Sequence, residues 1–392
     1  MDHIAGRKSG LSWAVHFSAL ALVIVWVLPT LGLLVSSFRT TDQIRSSGWW
    51  AALFPAVQNE TYRTADPDEA RVDLGDGIYL VSGNIFVEGG AAANLDEIVR
   101  EISAWGASSR AIDAYQPDEV ADLGEGETLT VTARGDYEWR GTADQIEGRG
   151  ARIFVTVSAP PDFTLGNYQN VLFDPSNREG MSKAFFNTLT VTIPATIIPI
   201  LIAAFAAYAL AWMEFPGRAL LIAAVVGLLV VPLQLALIPL LKLHNDIGIG
   251  KGYLGVWLAH TGFGLPLAIY LLRNYMVGLP REVIENARVD GATEFQIFTR
   301  IILPLSFPAL ASFAIFQFLW TWNDLLVAMV FLIDSSGETT VMTRQLVEMM
   351  GTRGGDWEIL ATSAFVSIAV PLVVFFSLQR YLVRGLLAGS VK

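Results

Sequence analysis

Polar and apolar positions divide this chain into two unlike materials. Six windows are nearly free of charge: residues 11–36, 184–212, 219–241, 253–276, 305–333 and 359–382. Each reaches the roughly 20 residues that a helix needs to cross about 30 Å of hydrocarbon. The pattern predicts an all-α polytopic membrane protein with six transmembrane helices. Pro194 and Pro199 fall inside the second window, which a span tolerates because neighbouring helices re-satisfy the freed carbonyls. The first window follows Arg7 and Lys8 and is too long for a secretory leader, with no small-x-small cleavage site after it. It reads as an uncleaved span whose amino terminus stays inside.

Between the first two windows the pattern changes. Residues 78–87, 128–133 and 152–157 are strand-like. Residues 95–105 carry a helical spacing, with Leu95, Ile98, Val99 and Ile102 on one face. Gly-rich turns separate these pieces. A small strand-rich domain is therefore expected over residues 41–165, after a first segment (1–40) and before a five-helix core (166–392). Roughly a hundred residues suffice for a small core.

A polar island, residues 280–308, interrupts the apolar second half and is too charged to sit in lipid. Pro280 suits the first turn of a helix, where its missing N–H costs nothing. Asp290-Gly291 breaks that helix. A second helix follows with Phe295, Phe298, Ile301 and Ile302 on one stripe, and Leu303-Pro304 is expected to stop it. Two short amphipathic helices joined at a glycine make a knob suited to a groove on another protein.

Composition sharpens this picture. The chain has 392 residues, 53% of them hydrophobic and 16% charged, with a net charge of −11. Residues 40–162 hold 22 Asp and Glu against nine Arg and no Lys, so the negative charge resides there. An acidic soluble part argues against nucleic acid as a partner. The absence of cysteine excludes disulfides, thiolate metal sites and cysteine nucleophiles. With an even number of crossings both termini share a side. Arg218, Arg273, Arg281, Arg288 and Arg300 then fall inside with them, a modest bias in the cytoplasmic direction. The long acidic insertion would face outward, opposite the island.

The run Glu285-x-Ala287-x-x-Asp290-Gly291-Ala292, followed by Phe298, Ile301, Leu303-Pro304 and Pro308, resembles the EAA loop of type I ABC importer permeases. Asn286 departs from that pattern, standing where a second Ala is common. The resemblance implies a cytoplasmic coupling loop over 280–304 that seats in a cleft of an ATPase subunit, with Glu285, Ala287, Asp290, Gly291, Ala292 and Phe298 as its coupling residues. Phe186-Asn187-Thr188, Ala207-Tyr208-Ala209-Leu210-Ala211 with Phe215-Pro216-Gly217, and Trp322-Asn323-Asp324 are similar to the carbohydrate branch, and to the second permease type of maltose and alpha-glucoside importers. The last residues, 383–392, match as well. The resemblance covers about residues 11–39 and 167–392; relatives usually have only a short loop where the insertion lies. It implies a second, non-identical permease subunit, an ATPase homodimer and an extracytoplasmic sugar-binding protein as partners, with membrane lipid around the spans. ATP and Mg would be bound by the ATPase and no cofactor by this chain. The tail, Gly389, Ser390, Val391 and Lys392, would reach the ATPase dimer interface.

Candidate chemistry beyond this is sparse. Gly250-Lys251-Gly252 lacks the leading Gly and the hydroxyl of a phosphate loop, and His-Glu-x-x-His and Gly-x-Ser-x-Gly are absent. The chain is therefore not expected to be an enzyme. Asn323 and Asp324 interrupt an apolar window, and a carboxylate at membrane depth is costly unless it meets water or a partner. Trp320 with Asn323 and Asp324 is a candidate substrate path; indoles at a bilayer interface need no ligand. His244 and His260 read as hydrogen-bonding groups at helix ends. The insertion fits either a shield over the pore mouth or a docking surface for a binding protein. A membrane sensor or scaffold, and a permease for a non-sugar solute, remain alternatives to a sugar permease.

Overall fold

The computed structural model describes residues 10–93, 95, 99–173, 181–333, 336–352 and 355–387. The chain divides into two compact units, Met1–Asn167 and Tyr168–Lys392.

The first unit begins with helix α1 (Gly10–Ser37) and short α2 (Thr41–Ser46). Strands β1 (Ala56–Arg63), β2 (Val72–Gly75), β3 (Ile78–Asn84), β4 (Glu101–Gly106), β5 (Val120–Gly124), β6 (Glu127–Val131), β7 (Asp136–Thr142) and β8 (Arg152–Ala159) follow, with one-turn helices α3 (Pro67–Ala70) and α4 (Ile85–Glu88) between them. They form a three-stranded sheet, β1-β8-β4, and a five-stranded sheet, β2-β3-β7-β6-β5, with every pairing antiparallel. Alternation sends Ile153, Val155, Val157 and Ala159 of β8 inward. Ile153, Val155 and Val157 meet Val81, Leu129, Tyr137 and Trp139 of the other sheet and Trp105 of β4 in one core. The two outer hairpins of the larger sheet repeat a local sequence, Asp-Leu-Gly-acid-Gly, at their turns. Asp73 Oδ1 and Asp122 Oδ1 each accept the N–H of the glycine two residues on, at 2.8 and 2.9 Å.

Two expectations are corrected here. The helical spacing expected over 95–105 does not hold where it overlaps residues 101–106, which are β4, paired with β8; Ile98 of that expected face lies outside the described residues. A bulge between Ile102 and Ala104 shifts the register, so Ile102 and Trp105, three apart, both face the core. That offset imitates a helical stripe. The strand from Ile78 also stops early, because the Asn84 side chain accepts from the N–H groups of Phe86 and Val87 and starts α4.

The second unit is helical: α5 (Gly166–Phe173), α6 (Met181–Trp212), α7 (Arg218–Leu228), α8 (Leu233–Asp246), α9 (Tyr253–Val277), α10 (Arg281–Val289), α11 (Glu294–Ile297), α12 (Leu303–Leu305), α13 (Phe307–Trp322), α14 (Leu326–Phe331), α15 (Met342–Thr352) and α16 (Trp357–Leu387). Small residues on α6 (Ala195, Ala203, Ala204, Ala207) are buried, which lets α9 and α13 approach closely. Gln317 of α13 donates to the Ala195 and His260 carbonyls at 3.0 and 3.3 Å and ties the three helices together. The Phe186-Asn187-Thr188 phrase is a clasp. Asn187 Nδ2 donates to the carbonyls of Glu338 and Thr340 at 2.8 and 2.9 Å, and Tyr253 donates to its Oδ1 at 2.9 Å.

Among the described residues four helices are long and apolar enough to cross a membrane: Leu11–Ser37, Met181–Trp212, Tyr253–Val277 and Trp357–Tyr381. The window over 219–241 is not one straight helix; α7 and α8 meet at 110°. Pro232, which caps α8, cannot continue the ladder from α7. The window over 305–333 is also broken, into α13 and α14. The helix after the glycine runs on through Pro304 to Leu305 and bends by 70° at Ser306, not at Leu303-Pro304. Its middle, Phe298–Ile302, is a π turn. The wider turn relieves the clash between the Pro304 ring and the carbonyl of Arg300, four residues back.

Candidate functional site

The polar island folds as two helices joined by a tightly specified corner. The α10 helix ends at Asp290. The N–H of Gly291 then bonds to the Arg288 carbonyl at 3.1 Å and that of Ala292 to the Ala287 carbonyl at 3.0 Å. Together these bonds make a Schellman cap. Gly291 has φ +82°, with nothing within 4 Å of where a Cβ would stand, so backbone conformation rather than space selects glycine. At once the next helix is capped: Thr293 Oγ1 accepts from Gln296 N at 3.3 Å and Gln296 Oε1 accepts from Thr293 N at 2.9 Å. This capping box was legible as Thr-x-x-Gln, and the sequence reading missed it. No residue separates the two caps, so the corner is stiff.

One side of the knob is packed. Ile284, Ile297, Phe298 and Ile302 are buried with Ala203, Ala204 and Ala207 of α6 and with Leu272 and Met276 of α9. Phe298 stacks obliquely on Phe205 and Tyr208, ring centroids 4.6 and 5.3 Å away. Phe298, a coupling residue by the resemblance, thus faces the spans, where it contacts α6. Ala287 and Ala292 pack on the edge of the same cluster. Phe295 does not share the buried stripe. It is exposed, as are Val289, Glu285 and Asp290, because a stripe shared by α11 and the following π turn cannot hold both Phe295 and Phe298. Glu285 forms an exposed ion pair with Arg281, 2.8 Å and one turn apart.

Glu294, absent from the sequence-based candidates, is the electrostatic centre of the site. Its carboxylate accepts from the Tyr208 hydroxyl of α6 and from Arg288 Nε at 2.9 Å. That charged hydrogen bond holds the Arg288 guanidinium above its usual range. Arg288 also reaches the Trp212 carbonyl at 3.4 Å. Arg218 donates to the Leu210, Ala211 and Met213 carbonyls at 3.0, 3.2 and 3.2 Å, and Arg273 to Leu210 at 3.3 Å. Three arginines from three elements thus converge on the negative end of α6. Beside them lies a polar cleft of about 630 Å³, lined by Trp212, Glu214, Arg218, Arg281, Glu285 and Glu294.

The second candidate region is the break after α13. Asn323 Nδ2 donates to the Leu319 carbonyl at 2.8 Å, closing its own helix. Asp324 Oδ2 accepts from Val327 N at 2.8 Å and opens α14. It also lies 3.7 Å from His260 Nε2, both side chains being buried. The carboxylate therefore meets backbone and imidazole. Trp320 sets its ring edge against His260, centroids 6.4 Å apart, and lines an apolar cavity of about 500 Å³ with Leu229, Leu233, Phe263 and Leu267. Trp322 is core, donating to the Ser367 carbonyl at 2.9 Å and stacked on Phe318. His244 is likewise buried, against Phe331. The tail residues Gly389, Ser390, Val391 and Lys392 lie outside the described residues.

Comparison with known proteins identifies a family. Residues 184–387 match the family described as binding-protein-dependent transport system inner membrane component. The chain is 59% identical over 393 residues to the alpha-glucoside transport system permease protein AglG of Rhizobium meliloti, covering 98% of each. That match includes the strand-rich unit. The chain is also 59% identical over 230 residues to the osmoprotective compounds uptake permease protein GgtD of Synechocystis, covering 59% of this chain and 76% of the relative. A crystal structure of a bacterial ABC transporter that imports the acidic polysaccharide alginate aligns at TM-score 0.47 and 21% identity, covering 57% of this chain and 81% of that one.

Proposed function

The chain belongs to the binding-protein-dependent transport system inner membrane components, and on that premise we propose that it is one permease subunit of an ATP-driven sugar importer. It forms half of a translocation path, and a second, non-identical permease completes it. An ATPase homodimer binds ATP and Mg and drives the spans between inward- and outward-open packings. An extracytoplasmic binding protein delivers the solute. The chain itself catalyses no reaction. The spans cross the bacterial inner membrane six times, with the bent pair α7–α8 as the third crossing and α13 with α14 as the fifth. Both termini and the loop over 280–304 face the cytoplasm, and the strand-rich unit faces out.

The observation that carries this reading is the two-sided build of the loop. Its inner side is bonded and packed to α6, while its outer side presents Val289 and Phe295 among Glu285, Asn286 and Asp290. An exposed aromatic within a charged rim on a stiff corner suits a groove on a partner. The ATPase cleft would take Phe295 and Val289 as anchors, with Gly291 and Ala292 letting the contact close tightly. Movement of the knob is then delivered to α6 through Phe298, Tyr208 and Glu294. The tail, including Lys392, is a second ATPase contact. In the transport path Trp320 is the candidate aromatic for a sugar face, with Asn323 and Asp324 setting the bend that holds it.

An alpha-glucoside is the substrate class favoured by the full-length likeness to AglG. The equal identity to GgtD favours a second reading, a small osmoprotective solute. Uptake of a radiolabelled alpha-glucoside and of a labelled osmolyte, in cells lacking only this chain and in complemented cells, separates the two. Unchanged uptake of both without the chain would leave a membrane sensor as the better account.

A further inference from the structure

The first unit carries an apolar patch that its own core does not explain. Trp50, Leu53 and Phe54 are 74%, 77% and 66% exposed within five residues. They lie in an acidic, otherwise water-adapted segment, and contiguous exposed apolar groups of this size mark an interaction surface.

The position of the patch is set by bonds inside the unit. Arg39 is buried, and its guanidinium donates to the Gln43 and Ser47 carbonyls at 2.6 and 2.9 Å and to Ser47 Oγ at 2.5 Å. Asn167 donates to the Ser37 and Arg39 carbonyls at 3.0 and 2.9 Å. These contacts fold residues 38–48 into a tight reversal, so the chain after Gly48 runs back along α1. There the Trp49 indole lies on Gly32, where a Cβ would stand 2.9 Å from its Nε1. Any larger residue at 32 would push the ring away.

Helix rise converts this contact into a depth. The α1 helix has 28 residues, about 42 Å at ~1.5 Å per residue, against about 30 Å of hydrocarbon. About 6 Å then projects at each end. Gly32 stands about 7.5 Å before the helix end at Ser37, so Trp49 packs where hydrocarbon meets headgroups. Trp50, Leu53 and Phe54 follow Trp49 within five residues, and α1 itself exposes apolar side chains near Gly32, Leu28 and Leu31 among them. Phe163 and Leu165, also exposed, join the same end of α1 through the bridge between Arg39 and Phe163. Indole and phenyl groups favour this layer.

We propose that residues 49–54, led by Trp50, Leu53 and Phe54, insert into the lipid interface beside α1 and hold the strand-rich unit at a fixed tilt on the bilayer surface. The occupant is the headgroup–acyl boundary itself. The inference rests on α1 crossing the membrane and is independent of which solute is moved.

The natural chain has no cysteine, so Leu53→Cys, labelled before assembly with unlabelled partner subunits, carries a single nitroxide into the importer in nanodiscs. Leu20→Cys on α1 and Val120→Cys on exposed β5 serve as the lipid and water references. Collisions with oxygen and with a nickel chelate read depth. The expected result is an oxygen-favoured ratio at Leu53→Cys, on the side of Leu20→Cys, at a depth of about 5–10 Å. A nickel-favoured ratio like that of Val120→Cys overturns the proposal. So does a label reached by neither probe, which would mean that protein covers the patch. A nickel-favoured Leu20→Cys would instead refute the membrane reading of α1, a failure distinct from that of the patch. Trp50→Ser with Phe54→Ser should shift the Leu53→Cys label toward nickel without moving the Leu20→Cys label.

Discussion

Tyr208 on the long helix α6 and Glu294 at the start of α11 are joined by a hydrogen bond across 86 residues of chain. The hydroxyl donates to a carboxylate that Arg288, on the other arm of the knob, also engages. Three elements therefore meet at one carboxylate, and the knob cannot rotate against α6 without breaking that set.

Tyr208→Phe removes the donor and keeps the ring on Phe298. Because Glu294 is partly in water, the loss is about 1 kcal/mol, below the usual value for a bond to a charged group. Hydrogen exchange at the loop amides should rise roughly fivefold, and uptake per ATP hydrolysed should fall while the complex still assembles. Unchanged exchange would show that the bond does not hold the loop.

At Gly291 the constraint is backbone conformation. Gly291→Asn, tolerant of positive φ, should transport at near-normal rates; Gly291→Val should cost about 1–2 kcal/mol and disrupt the corner. Gly291→Asp also tolerates the conformation but adds charge at the outward face. It should assemble yet hydrolyse ATP without uptake. Normal uptake in Gly291→Asp would argue strongly against docking at this corner.

The two phenylalanines of the loop should behave oppositely. Phe298→Ala opens a cavity against Phe205 and Tyr208 and should destabilise the permease by about 3–5 kcal/mol. Phe295→Ala removes an exposed ring, so thermal stability should hold while co-purification of the ATPase weakens. Equal behaviour of the pair in both assays would refute the two-sided description.

In the strand-rich unit, burial raises the Glu88 carboxyl above its usual range, opposed by the Tyr137 hydroxyl that donates to both oxygens at 3.0 and 2.8 Å. A carboxyl whose folded value lies above its unfolded one favours folding most when protonated. That contribution is complete below the ordinary glutamate range and is lost as pH rises through the elevated value. Glu88→Gln cannot ionise. Its amide protection around α4, compared with the natural chain, should therefore improve as pH rises across that window. A flat difference would show that the burial of Glu88 carries no linkage to stability.

The loop was readable because its chemistry is local. Glu285-x-Ala287-x-x-Asp290-Gly291-Ala292 spells a helix end and a Schellman corner, and neither needs a distant residue. The four straight apolar helices were readable for the same reason, since length and absence of charge suffice. The strand-like stretches 78–87, 128–133 and 152–157 overlap β3, β6 and β8, with ends that differ by a few residues. Where the reading failed, a partner from elsewhere had intervened. The β4 bulge is set by pairing with β8, and it turned a strand into an apparent helical stripe. Phe298 and Phe295 are equally apolar in sequence, and only the presence of α6 decides which is core. Glu294 carried no mark beyond one charge until Tyr208 came beside it.

By itself, then, the sequence determined what is written in short-range terms: which stretches are apolar enough for lipid, where helices begin and end at caps, and which segment is acidic and strand-forming. Tertiary structure alone decided the inward turn of Phe298, the convergence of Arg218, Arg273 and Arg288 on α6, and the fold-back of Trp49 onto Gly32. The physical reason is range. Propensity and capping act within a turn or two of chain, whereas burial and ion pairing depend on which surfaces the completed fold brings together.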